Sequence, residues 1–277
     1  MAKGTEPNEF GGVPVATTER DVRRGSKSLF GRRKVEQVDF VVAGVQKAGT
    51  TALHYFLSKH PHIALPRDQA LHFFDNEDNF RDGEARHDIL RANFDPGRRW
   101  QIAGEVTADY LYYAPALERM ARHNPRMKII ASLRNPADRA FSHWNMRRGK
   151  NREPLDFVEA IKKDQEQRSS PPLRGNAHID RGLYAAQLER VFALFPREQV
   201  HVIKYENFRK DNAAAMDLVF DFLGVERLPG LKNAEKNAHP HERKMTAEER
   251  AYVSSLFVED IKRLEQMLGW DCADWRR

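Results

Sequence analysis

The stretch from Val38 to Leu53, VDFVVAGVQKAGTTAL, constrains this chain more than any other. Its first half is apolar and β-branched, the composition of a strand covered on both faces. It runs into Ala43-Gly44, then Val45-Gln46-Lys47-Ala48-Gly49-Thr50-Thr51, and a helical pattern begins at once. A strand, a short glycine-bearing loop and a helix N-terminus together make an anion cradle. Backbone N–H groups point into the loop and the helix dipole favours negative charge. Lys47 and the hydroxyls of Thr50 and Thr51 add donors.

The rest of the chain alternates strand and helix. Helices are expected over about Thr50–Lys59, Ala114–His123 and Pro136–Arg148, the last two with proline in the first turn. Strands are expected over Trp100–Glu105, Met127–Leu133 and Val200–Lys204. Tyr184, Leu188, Val191 and Phe192 mark a further helix, stopped by Pro196, and Asp211-Asn212 caps another that Gly224 closes. The capping box Thr246-x-x-Glu249 opens one final helix, which Gly269 ends. The pattern implies an α/β fold, a P-loop-like central parallel sheet flanked by helices on both faces. Ligands of such sheets sit beyond the carboxyl ends of the strands. The loops after Ala43, Glu105, Leu133 and Lys204 should therefore share one crevice. Residues 1–34 are polar without apolar period and are expected to form a flexible arm, with residues 35–277 a single domain. The 76–99 segment is polar and the loop within 149–181 is long for a compact domain, which suits lids or binding segments.

The net charge of +6 suits an anionic ligand, but the 46 Lys and Arg are scattered among 40 acidic residues. Nucleic acid is therefore not expected as a partner. A single cysteine, Cys272, excludes an internal disulfide and a cysteine-based zinc site. No apolar run approaches the ~20 residues of a membrane span, no leader pattern is visible, and a cytoplasmic location is expected. The oligomeric state is open.

The loop departs from that of nucleoside triphosphatases. Their G-x-x-x-x-G-K-[ST] pattern puts lysine directly after the second glycine. Here Gly44 and Gly49 keep the spacing, but Thr50 follows Gly49 and the lysine is Lys47. A mid-loop lysine serves a short terminal group rather than a β,γ-phosphate pair, so a nucleotide kinase is the weaker reading. A second anion site follows the strand ending at Leu133. Arg134-Asn135-Pro136 stands at its carboxyl end and Ser142 lies in the next helix, a pairing able to clamp another phosphate. Arg139 and Arg147 read as surface charges, and His143 and Trp144 as packing.

These pieces resemble the sulfotransferases that use 3′-phosphoadenosine 5′-phosphosulfate (PAPS). The likeness rests on G-V-Q-K-A-G-T-T at 44–51, L-R-N-P at 133–136 with Ser142, and L-H-F-F-D at 71–75. It is strongest with the heparan sulfate sulfotransferases and their bacterial relatives and runs from Val38 to Trp275. The resemblance implies that Lys47, Ala48, Gly49, Thr50, Thr51 and Ala52 hold the 5′-phosphosulfate. It implies that Arg134 and Ser142 hold the 3′-phosphate. It also implies that a polar loop with Asn237, His239, Arg243 and Lys244 closes over the nucleotide, Arg243 among its ligands. The product nucleotide would be 3′-phosphoadenosine 5′-phosphate (PAP). No metal is expected, and the acceptor would be a carbohydrate or small natural product.

Two positions depart from the family pattern. Relatives carry a glutamate base two residues before the histidine of H-F-F, and here that position is Ala70. Either His72 is the base, assisted by Asp75, or the acceptor is activated otherwise, or Ala70 is an engineered substitution. The first is the preferred expectation, since imidazole titrates in the useful range; a catalytically inactive nucleotide binder is the rival. Val106 replaces a lysine that some relatives place near the acceptor, which suggests a less anionic acceptor. Glu105 is a candidate for positioning the site.

Overall fold

The computed structural model describes residues 35–81, 85–95, 101–167, 177–233 and 243–276. Five strands form one parallel sheet: β1 (Phe40–Gly44), β2 (Ile63–Ala64), β3 (Ile102–Val106), β4 (Lys128–Leu133) and β5 (Val200–Lys204), in the order β2-β3-β1-β4-β5. The chain builds β2 and β3 to one side of β1, then β4 and β5 to the other. The loop after central β1 therefore opens at the switch in strand order, where such sheets bind ligands. Val41 lies in register with Glu105 and Ile129, and Leu133 with Lys204, so these strands end close together.

Alternation along the strands sorts the apolar side chains into two cores. Val41, Ala43, Ile129 and Ala131 face α3 (Ala114–His123), α6 (Tyr184–Leu194) and α10 (Val258–Leu268) through Leu117, Leu188 and Leu264. Phe40, Val42, Ile130 and Ile203 face α1 (Thr50–Ser58) and α8 (Asn212–Leu223) through Leu53, Phe56, Met216 and Val219. A sheet covered on both faces explains the near-continuous apolar strands. Gly104 is required by this packing, because a Cβ there would lie 2.2 Å from the Phe40 ring.

The α/β class and its elements match the sequence expectation, with two differences. The strand Ile63–Ala64 is too short to show periodicity and exists by pairing with Ile102 and Ala103. The expected last helix is two, α9 (Ala247–Ser255) and α10, separated by a bend that buries Phe257. The helix expected in the 149–181 segment from Leu155, Phe157, Val158 and Ile161 is present as α5 (Phe157–Glu166), opened by a capping box of Asp156 and Glu159. The remaining helices are α2 (His87–Ala92), α4 (Pro136–Arg148) and α7 (Tyr205–Lys210). The expected arm at 1–34 lies outside the described residues. Among the described residues no helix is long and apolar enough to cross a membrane.

Candidate active site

A cleft of about 410 Å³ opens at the carboxyl ends of β1, β3 and β4. It is lined by Lys47, Gly49, Thr50, Thr51 and Ala52 from the first loop and by Arg134, Ser142, Met146 and Lys150 from β4 and α4. Gln69, Ala70 and His72 line the other wall, with Val106, Ala108 and Asp109 after β3 and Tyr205 after β5. All four strand-end loops expected to converge do so.

The two candidate anion sites are built differently. At α1 the residue before the helix is Gly49, at φ 83°, and no side chain caps the helix. The first-turn amides are thus left for a ligand. Gly49 is required on two counts, since a Cβ would lie 2.9 Å from the Tyr205 ring and positive φ strains other residues. Lys47 also has positive φ, 76°, in the middle of the loop. At α4 the amides are taken, because the Asn135 side chain accepts from Ala137 and Asp138. Anion binding there falls to side chains. Arg134 lies over the Tyr205 ring, 5.1 Å from its centroid, and donates to the Lys47 carbonyl at 3.2 Å. That bond ties the two sites into one frame.

Among the described residues no carboxylate pairs with Lys47, Arg134 or Lys150. Burial holds the Lys47 ammonium below its usual range, and the Arg134, Lys150 and Arg139 charges push it the same way. A site that crowds cations without counter-charge favours a polyanion. The cleft volume, the uncapped helix and the cations together fit a nucleotide with anionic groups at both ends.

The residues from 70 onward form the opposite wall. His72 is at φ 50° with its side chain about half exposed, and its Nδ1 lies 2.9 Å from Oδ2 of buried Asp75. This hydrogen bond raises the imidazole above its ordinary value, against the effect of burial, and directs Nε2 away from Asp75. His72 borders both the cleft and a smaller cavity of about 130 Å³ lined by Asp75, Asp109, Tyr112, Tyr113 and Arg181. Arg181 pairs with Asp109 and lies over the Tyr112 ring. His72, Asp75 and Asp109 each offer a ligand atom within 4.8 Å of one another, a grouping that the sequence, with its distant positions, did not reveal.

Three sequence expectations are corrected. Arg243 does not line the cleft: its guanidinium forks onto Glu249 at 2.6 and 2.7 Å and packs on Phe141 and Trp144. Ala48 is fully buried, and its amide donates to the Val45 carbonyl within the loop, so it shapes the cradle without facing it. Arg139 is not a surface charge but fully buried, donating to the His178 carbonyl from α4. Asn237 and His239 lie outside the described residues. Lys150, Tyr205, Asp109 and Arg181 are site residues that sequence reasoning missed. Only Lys150 carried a signal, lying eight residues past Ser142 along the direction of α4.

Comparison with known proteins agrees with this geometry. The sulfotransferase domain model matches residues 37–246, and the chain belongs to that family. A sulfotransferase from Alicyclobacillus acidocaldarius superposes with a TM-score of 0.75 and 31% identity, covering 88% of this chain and all of that one. The bifunctional heparan sulfate N-deacetylase/N-sulfotransferase 2 of Bos taurus is 30% identical over 200 residues, 67% of this chain. The chain spans only 22% of that relative's length. Human heparan sulfate glucosamine 3-O-sulfotransferase 3A1 is 28% identical over 83% of this chain and 59% of its own.

Proposed function

We propose that this chain transfers the sulfuryl group of PAPS to a hydroxyl, or less favourably an amine, of a carbohydrate, with His72 as the base. The observation that carries the reading is the position of His72, which borders the cationic cleft on one side and the Tyr112–Tyr113–Arg181 cavity on the other. PAPS supplies the sulfuryl group already activated by its bond to a phosphate oxygen.

The 49–52 amides and Lys47 hold the 5′ end of the nucleotide, and Arg134 with Ser142 holds the 3′-phosphate. His72 takes the acceptor proton at Nε2 as the new sulfur–oxygen bond forms, and Asp75 stabilises the imidazolium through Nδ1. Lys47 stabilises the negative charge left on the phosphate oxygen when its bond to sulfur breaks. Held in line, these groups act mainly by positioning and charge stabilisation. Tyr112 and Tyr113 offer flat apolar faces, and Arg181 with Asp109 offers directed hydrogen bonds, a combination suited to a sugar ring.

Ala70 supports a second reading, a PAP-binding protein without turnover, because it lines the cleft where relatives carry a glutamate. The deciding experiment incubates the chain and its Ala70→Glu variant with sulfur-labelled PAPS. The acceptor panel contains heparan-type oligosaccharides, N-unsubstituted glucosamine oligomers and simple phenols. Labelled product from the parent chain supports the proposal. Product from Ala70→Glu alone assigns the parent to the inactive reading, and product from neither removes the enzyme reading.

A further inference from the structure

Glu105 stands near the end of β3, in register with Val41 and on the face that Ala103 shares with the larger core. Strand alternation thus sends a carboxyl into an apolar layer, where it is fully buried. Burial there is costly unless the group is hydrogen-bonded or neutral. Both conditions hold. Burial pushes the carboxyl up to about 8, with nearby Asp75 adding to the rise. Its two oxygens accept from two hydroxyls, Tyr110 at 2.8 Å and Thr107 at 3.4 Å.

Those hydroxyls have further partners, and all of them lie in one turn. The Tyr110 oxygen accepts the backbone N–H of Phe73 at 2.9 Å and of Phe74 at 3.2 Å. The Thr107 oxygen accepts the N–H of His72 at 3.4 Å. Three consecutive amides therefore converge, through two hydroxyls, on one carboxyl. A left-handed histidine persists only where its surroundings over-determine it, and buried amides outside a strand ladder need partners from elsewhere. The Phe73 and Phe74 carbonyls are held separately, by Asn79 and Arg119.

We infer that Glu105 is a positioning residue for sulfuryl transfer: through Tyr110 and Thr107 it fixes the 72–74 backbone, and with it the orientation of the His72 imidazole between the cleft and the cavity beside it. This rests on the reading of His72 as the base. It assigns Glu105 no contact with either substrate. What the arrangement needs from it is shape and hydrogen bonding rather than charge. A glutamine keeps that shape without ionising: its amide oxygen accepts from Tyr110, the hydroxyl that ties two of the three amides, and its NH2 donates to the Thr107 oxygen.

The test compares Tyr110→Phe, Glu105→Gln and His72→Ala in the full chain. Tyr110→Phe keeps the buried ring and removes only the oxygen that ties Glu105 to Phe73 and Phe74. The readouts are kcat with the fastest acceptor of the panel above, PAP affinity by calorimetry, and titration of the His72 ring by NMR. The titration needs no acceptor, and it reports on the groups facing the ring, Asp75, Asp109 and Glu105. Tyr110→Phe should lower kcat about 100-fold, the cost of a misplacement near 1 Å, and leave PAP affinity within about twofold. Its His72 titration should move down toward free imidazole as the Asp75 contact loosens. Glu105→Gln should stay within about threefold of the parent in rate. An unchanged His72 titration in Tyr110→Phe overturns the inference, as does a Glu105→Gln protein as slow as Tyr110→Phe. If His72→Ala turns over as fast as the parent, the base reading fails, and the NMR titration still decides whether Glu105 holds the turn.

Discussion

The two walls of the cleft solve opposite electrostatic problems. On the donor wall, Lys47, Arg134 and Lys150 line the cleft, and among the described residues no carboxylate meets them. On the acceptor wall each charge has its counterpart, His72 with Asp75 and Arg181 with Asp109, while the buried Glu105 carboxyl meets two hydroxyls. The donor wall is incomplete until an anion arrives, so its binding energy is electrostatic and little dependent on fine shape. The acceptor wall is already neutralised, so its selectivity comes from geometry and from the strained turn that carries His72. Affinity for the nucleotide and rate of transfer should therefore respond to different substitutions.

The largest separation is expected for His72→Ala. Losing a general base costs about 10²–10⁴-fold in kcat, while PAP affinity by calorimetry should stay near the parent value. A parallel loss of affinity would erase the distinction between the walls. Arg134→Ala should behave in the opposite sense. Removing a charge-assisted hydrogen bond costs about 1.5–3 kcal/mol, a weakening of PAP binding of roughly 10- to 100-fold.

The walls should also separate by pH. His72 acts only when neutral and its pKa is raised, so kcat/KM should climb with pH through a titration above that of ordinary imidazole. Lys47 binds an anion only when charged and its pKa is lowered, so PAP affinity should fall as pH rises through that lower value. A pH–rate profile and a calorimetric pH series would expose the crossing, and curves that move together would count against it.

A smaller effect concerns stability. Burial pushes the Glu105 carboxyl up to about 8 in the fold, whereas it ionises near its ordinary value of 4.5 in the unfolded chain. Between those values the unfolded chain binds fewer protons, so this group's contribution to stability falls as pH rises and levels off above about 8. Glu105→Gln removes that slope, which is at most about 1.4 kcal/mol per pH unit. Its Tm relative to the parent should therefore rise from pH 5 to pH 8. Smallest of all, Arg243→Ala should leave PAP affinity unchanged within about twofold and cost under about 1 kcal/mol in denaturant midpoints, as befits a partly exposed ion pair. A large loss of affinity would return Arg243 to the donor wall.

Donor and acceptor walls also differ in how far the sequence disclosed them. The loop from Gly44 to Thr51 is contiguous, so its strand, cradle and helix start are visible as a string of residues. Arg134 is separated from Ser142 by less than three turns of one helix, and that spacing too is local. By contrast, Asp109 and Arg181 lie 72 positions apart and meet only because the fold brings the turn after β3 against the turn before α6. Arg139 looked like a surface charge because α4 has polar residues all round, and only packing shows which face is inward. Arg243 had the right charge in the expected segment, yet Glu249, six residues on, claims it.

By itself the sequence determined the α/β class, the glycine-bearing loop between the first strand and helix, the placing of Arg134 and Ser142 together, and the His72–Asp75 pair. Each is written in contiguous residues or short spacings, where backbone geometry leaves few options. Tertiary structure alone decided that His72 borders two cavities, that Glu105 is fully buried, and that three amides of the His72 turn answer to it. Those facts depend on which strand faces meet which loops and on how much water remains beside a carboxyl. Burial and convergence of that kind are properties of packing across the whole chain, and no local pattern encodes them.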